Sequence, residues 1–173
     1  LSSIKERKYR AESGQINGLP FALPHLRNVF PALEQKQYLL ITGASKSSKT
    51  QISNFLVLYN AIFYAYNHPD QLRVKFLYFP WEETAEIVTL RFISFLLYTK
   101  YKVRYSPMEL LSSNVSNPLP DEIVKLIEGD YIQSMVTFFN NCVEFYENIN
   151  TSVGVCKVIR DFAEKNGEHI YSD

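Results

Sequence analysis

Two hydrophobic rhythms run along this chain. Tyr38-Leu39-Leu40-Ile41-Thr42 and Val74-Lys75-Phe76-Leu77-Tyr78-Phe79 are short apolar runs, which predict strands, the first of them buried on both faces. From Lys49 onward the period becomes helical: Ile52, Phe55, Leu56, Tyr59, Ile62, Phe63 and Tyr66 trace one buried face. Asn67-His68-Pro69-Asp70 ends that helix, because proline turns its predecessor away from helical geometry. His68 reads there as a cap or solvent residue. A second helix is expected from about Thr84 to Tyr98. Ser106-Pro107-Met108-Glu109 is a capping box with proline at the first helical position, so a short helix starts there. Another is expected over Pro120 to Glu128, stopped by Gly129. Tyr131, Met135, Phe138, Cys142, Phe145 and Ile149 then mark a helix with one apolar stripe, and a last helix covers Ser152 to Lys165. Residues 1–16 are polar, carry no period and read as a tail or linker. Asn17-Gly18-Leu19-Pro20 and Leu23-Pro24 are turns leading into the apolar segment Leu26 to Leu33.

Strand, helix, strand and then mostly helices suits an α/β domain over 17–173. Its mainly parallel sheet, flanked by helices, is expected to be incomplete in this segment. The chain starts at Leu1 without methionine and stops at Ile170-Tyr171-Ser172-Asp173, so it is expected to be part of a longer polypeptide.

Composition narrows the function classes. Eighteen basic and eighteen acidic residues cancel, so no nucleic-acid footprint shows at the level of the whole chain. The basic run Lys5 to Arg10 reads as a solvated tail. Two cysteines, Cys142 and Cys156, are too few for a disulfide framework or a cysteine metal site. Cys142 is expected to be a buried thiol. With neither a secretory signal nor a spanning-length apolar run, the expected location is a reducing, cytoplasmic compartment, without membrane contact.

Gly43-Ala44-Ser45-Lys46-Ser47-Ser48-Lys49-Thr50 differs by one residue from the phosphate-binding pattern G-x-x-x-x-G-K-[ST]. In that pattern backbone N–H groups cradle the phosphates, the lysine reaches the β- and γ-phosphates, and the hydroxyl binds Mg²⁺. Gly43, Lys49 and Thr50 are in place, whereas Ser48 stands where glycine is expected. Glycine there admits positive φ and close approach to phosphate. Serine adds a Cβ and a hydroxyl that can donate to a phosphate oxygen. Lys46 adds a charge to the same loop, though a solvated lysine at a loop tip is as good an account of it. The expected sequence of strand, turn and helix would aim the helix N-terminus at the anion. An ordinary serine-rich turn is the competing account.

Glu82 and Glu83 follow the second expected strand, and ligands in such sheets sit beyond the carboxyl ends of strands. An acid there can orient or deprotonate the water that attacks a γ-phosphate. Equally, both can be first-turn acids favouring a helix N-terminus.

Phe76-Leu77-Tyr78-Phe79-Pro80-Trp81-Glu82-Glu83, with Arg91 following, resembles the DnaB-type replicative helicases, where a strand runs through Ser-Leu-Glu-Met into a helix bearing an arginine. Gly18 through Thr50 resembles the opening of that family's motor domain. The helix ending at Lys165-Asn166-Gly167 resembles the one before its aspartate-bearing strand. The resemblance covers about 17–170, with specific residues only in the phosphate loop and around Glu82. It implies a RecA-like ATPase core binding ATP and Mg²⁺ on residues 43–50. Lys49 would be on the phosphates, Thr50 on Mg²⁺, Glu82 on the attacking water, and Arg91 structural. It also implies a hexameric ring on single-stranded DNA in the full-length protein, and so divergent a version suits a phage. Ser48 and Pro80-Trp81 depart from the family pattern, and Asp173 cannot be matched to its metal-linked aspartate. A RecA-type recombinase ATPase shares the same residues. A small-molecule kinase would need an arginine-rich lid, which is missing. A P-loop domain kept as an assembly scaffold is the non-enzymatic rival.

Overall fold

The computed structural model describes residues 2–30, 32–34 and 37–167. Asp173, with the rest of 168–173, lies outside them, as does Pro31 of the apolar segment. The chain is mixed helix and strand, and it divides into two compact units, Leu1–Val74 and Lys75–Asp173.

In the first unit, Ser2–Glu12 forms an exposed helix, α1, where the sequence predicts an irregular tail. Helix-forming Lys, Arg, Glu and Ala residues supply local propensity that an apolar period does not register. An Arg7–Glu34 ion pair fastens its side chain. The expected turn at Leu19–Pro20 is a short strand, β1, followed by helix α2, Pro24–Val29. β1 pairs antiparallel with β2, Ala32–Leu33. The helix expected from Lys49 forms as α3, Lys49–Ser53, a π-helical stretch Asn54–Tyr59, and α4, Asn60–Asn67. The Asn60 N–H reaches back five residues to Phe55 O. The wider turn re-phases the buried face. Leu56, Leu58, Tyr59, Ala61, Ile62 and Ala65 are buried, while Ile52 is 46% exposed. Leu19 and Phe21 complete this core, and Asn60 Nδ2 donates to Pro20 O at 2.7 Å. His68 caps α4 and stacks on Tyr64 with centroids 4.3 Å apart.

The strand expected at Tyr38–Thr42 is not formed. Among the described residues it has no ladder partner, and Tyr38 is 87% exposed. An apolar run becomes a strand only when a neighbour takes its backbone hydrogen bonds, and none does here.

The second unit is built on β3, Phe76–Tyr78, and α5, Ala85–Tyr101. The capping box opens α6, Pro107–Leu110, as the sequence requires, and α7 spans Asp121–Glu128. Helix α8, Asp130–Cys142, ends earlier than its stripe suggested. Val143–Phe145 is a strand, β4, in parallel register with β3: Phe76 opposite Val143, Leu77 opposite Glu144, Tyr78 opposite Phe145. This is the parallel pairing found among the described residues. The buried stripe of α8 is Ile132, Met135, Phe139 and Cys142, with Tyr131 and Phe138 half-buried beside it. Phe139 stacks on Phe92 of α5 with centroids 4.6 Å apart, and Val88, Leu96 and Leu97 close the core. Burial pushes the Cys142 thiol pKa up, whereas Cys156 is exposed on α9, Ser152–Asn166.

Candidate phosphate site

Residues 43–50 form an exposed turn that enters helix α3 at Lys49. Ser48 sits at φ 58°, ψ 27°, in the left-handed region, as the residue just before the helix. The chain therefore uses at Ser48 the geometry that glycine supplies cheaply, despite the added Cβ. Lys46 also has positive φ, at 60°. The turn closes on one acceptor: Ser47 Oγ and Lys49 Nζ each donate to Ala44 O at 2.7 Å. Gly43 borders this closure, because a Cβ there would lie 2.6 Å from Ser47 Oγ. Ser45, Lys46 and Thr50 are exposed, with Thr50 in the first turn of α3.

Lys49 and Thr50 also edge a groove of about 500 Å³ whose walls include Leu33, Leu39, Ile41 and Val57. The charged and hydroxyl groups thus meet an apolar wall within one unit. The donor set suits a phosphate with its magnesium. Residues 43–50 carry two lysines, three serine hydroxyls and a threonine hydroxyl at the start of α3, and a side chain at Gly43 would collide with Ser47 Oγ. Among the described residues, no three His, Cys, Asp or Glu side chains gather to hold a metal by themselves. Mg²⁺ in such a loop is held through the threonine hydroxyl and the phosphates instead.

Glu82 and Glu83 lie in the second unit, in the bend between β3 and α5. Their environments differ. Glu83 is half-buried and accepts from Arg91 Nη1 at 2.6 and 2.7 Å, which gives Arg91 the structural role expected of it. Glu82 is exposed, and among the described residues it makes no hydrogen bond or ion pair. The bend is fixed on both sides. Trp81 Nε1 donates to Ile149 O at 3.2 Å, Ala85 N donates to Glu147 Oε1 at 2.6 Å, and the Thr84 hydroxyl accepts from Ile87 N. Glu82 and Glu83 therefore precede α5 and are not the first-turn acids that the sequence suggested; Glu86 is, and Thr84 and Glu147 take the helix's leading N–H groups. Glu147 was missed because an acceptor 62 residues away leaves no local signal.

A second polar cluster was also missed. Lys75 Nζ lies 2.8 Å from Glu144, which accepts from Tyr146 OH at 2.8 Å. Lys75 first, and then Tyr146, hold the Glu144 carboxyl below its usual range, while donation to Glu144 pushes the Tyr146 phenol up. These groups border a groove of about 630 Å³ floored by Val158 and Phe162 of α9. The parallel pairing of β4 with β3 is what brings Glu144 beside Lys75, and the sequence gives no local sign of it.

Among the described residues, no helix is long and apolar enough to cross a membrane. In comparisons with protein families, curated proteins and solved structures, the chain matches none.

Proposed function

We propose that residues 43–50 bind the phosphates of ATP·Mg, and that the chain is part of a P-loop motor ATPase of the DnaB helicase type. The observation that carries the phosphate reading is the left-handed Ser48 immediately before the Lys49 helix. It gives the loop the backbone turn that the missing glycine would have given. Lys49 supplies the charge for the β- and γ-phosphates, and on binding exchanges the Ala44 carbonyl for a phosphate oxygen. Thr50 is the hydroxyl for Mg²⁺, whose bound form neutralises phosphate charge during transfer. The role of Glu82, orienting the attacking water, rests on the sequence resemblance and on its carboxylate being free of the ion pair that engages Glu83. The RecA-like fold, the hexameric ring and the single-stranded DNA track of the full-length protein rest on the resemblance alone.

A non-catalytic P-loop scaffold is the second reading, favoured by the unpaired, exposed Tyr38–Thr42 segment in front of the loop. Calorimetric titration with ATP·Mg tests the phosphate reading. Wild type is expected to bind and Lys49→Ala to lose binding. The same absence of binding in both proteins would hand the case to the scaffold.

A further inference from the structure

We propose that Glu147 and Trp81 are positioning residues for the Glu82 carboxylate, holding the bend that carries it against the 147–149 loop. The inference rests on the reading of Glu82 as the group that orients the attacking water. From Phe79 to Ala85 the bend is held residue by residue. Phe79 stacks on Tyr146 with centroids 5.2 Å apart, and Pro80 is buried. Trp81 Nε1 donates to Ile149 O at 3.2 Å, Glu83 pairs with Arg91, and the Thr84 hydroxyl accepts from Ile87 N. Ala85 N donates to Glu147 Oε1 at 2.6 Å. Among the described residues, Glu82 is the one polar side chain of this run that makes no bond. A carboxylate left open between fixed neighbours is preorganised: the backbone on either side sets its direction, and no partner has to be displaced.

The loop that does the holding is itself anchored. Tyr146 N donates to Tyr78 O at 2.9 Å, which carries the ladder one residue past β4. Ile149 N donates to Tyr146 O at 3.4 Å and closes a turn. Downstream, Thr151 caps α9 by accepting from Gly154 N. Gly154 makes room for the loop, because a Cβ there would lie 3.0 Å from Ile149 Cγ2. The loop thus runs from the sheet to a helix start, and it reaches the Glu82 bend across 62 and 68 residues of chain.

Stability is the plainer account of the two bonds, and it explains less. Thr84 already caps α5, so a further acceptor at Ala85 adds little to the helix. Both bonds are exposed, where water competes for each partner and the net contribution to folding is modest. The Trp81 ring is held by one N–H instead of by burial. What the bonds do fix is the chain on each side of Glu82. A misplacement of about 1 Å can cost about 10²-fold in rate, so such anchors weigh more on turnover than on folding.

The test is steady-state ATP hydrolysis by the full-length assembly, with ATP·Mg affinity measured alongside by calorimetry. Glu147→Ala is expected to lower kcat about tenfold and leave affinity as in wild type. Glu147→Gln keeps an oxygen that accepts from Ala85 N and should restore most of the rate. In a Glu82→Gln background, Glu147→Ala should cause no further loss, because its effect passes through Glu82. If Glu147→Ala fails to fold, as judged by circular dichroism, Trp81→Phe should show the same loss of kcat at unchanged affinity. Wild-type kcat in a folded Glu147→Ala or in Trp81→Phe overturns the positioning role while Glu82→Gln still loses turnover. An equal loss from Glu147→Ala with and without Glu82 makes it a structural cap and overturns the proposal too. Full turnover in Glu82→Gln, or none in wild type, removes the reading of Glu82 and this inference with it.

Discussion

Ser48 combines a legible motif with a conformation that sequence alone does not fix. Its left-handed backbone costs a non-glycine residue about 1–2 kcal/mol, part of which a glycine would forfeit in unfolded-state entropy. Ser48→Gly is therefore expected to raise the stability of the first unit by about 0.5–1 kcal/mol in denaturant titration, and to tighten ATP·Mg binding. Weaker binding would assign the hydroxyl a phosphate contact of its own. The two neighbouring glutamates separate by the same reasoning from individual side chains. Glu83→Gln breaks a half-buried ion pair to Arg91 and should lower stability by about 1 kcal/mol. Glu82→Gln removes an exposed, unengaged carboxylate, so melting should not move. In the full-length assembly, Glu82→Gln is expected to keep ATP affinity and lose about 10²-fold in turnover. Turnover lost by Glu83→Gln and kept by Glu82→Gln would shift the family alignment by one residue.

At the scale of elements, the sequence spoke clearly wherever a signal was local. The Ser106 capping box, the stop at Gly129 and the helix end at His68 all occur where side-chain chemistry places them. Signals that depend on distant partners were lost. Tyr38–Thr42 has the residues of a buried strand and finds no strand partner among the described residues. Val143–Phe145 continues the apolar spacing of α8 and becomes a strand because β3 is beside it. The π-helical stretch was equally invisible, since its wider turn shifts which side chains face inward without altering the residue pattern. The β3–β4 pairing also makes stability depend on pH through Glu144. Glu144 has a depressed pKa in the folded protein, so its contribution is present above the unfolded value of about 4.3 and fades as pH falls through the lower folded value. Glu144→Gln should flatten the acid limb of the stability profile below about pH 4, measured by denaturant titration at stepped pH. An unchanged limb would mean that the Lys75 contact does not persist in solution.

For the molecule as a whole, two cores are visible, one in each unit, and the second is built on aromatic stacking between α5 and α8. Phe139 is wholly buried against Phe92, so Phe139→Ala is expected to cost about 3–5 kcal/mol in chemical unfolding. A loss below about 1 kcal/mol would mean that the α5–α8 contact relaxes to fill the space. One bond described at the Glu82 bend has an optical consequence. Trp81 is the sole tryptophan of the chain, it is 69% exposed, and its indole N–H is tied to the Ile149 carbonyl. Its emission consequently reports on the residue next to Glu82 with no background from any other indole. Parting the bend from the 147–149 loop is expected to change the intensity of that emission more than its wavelength, because the ring is already largely exposed and loses its hydrogen bond.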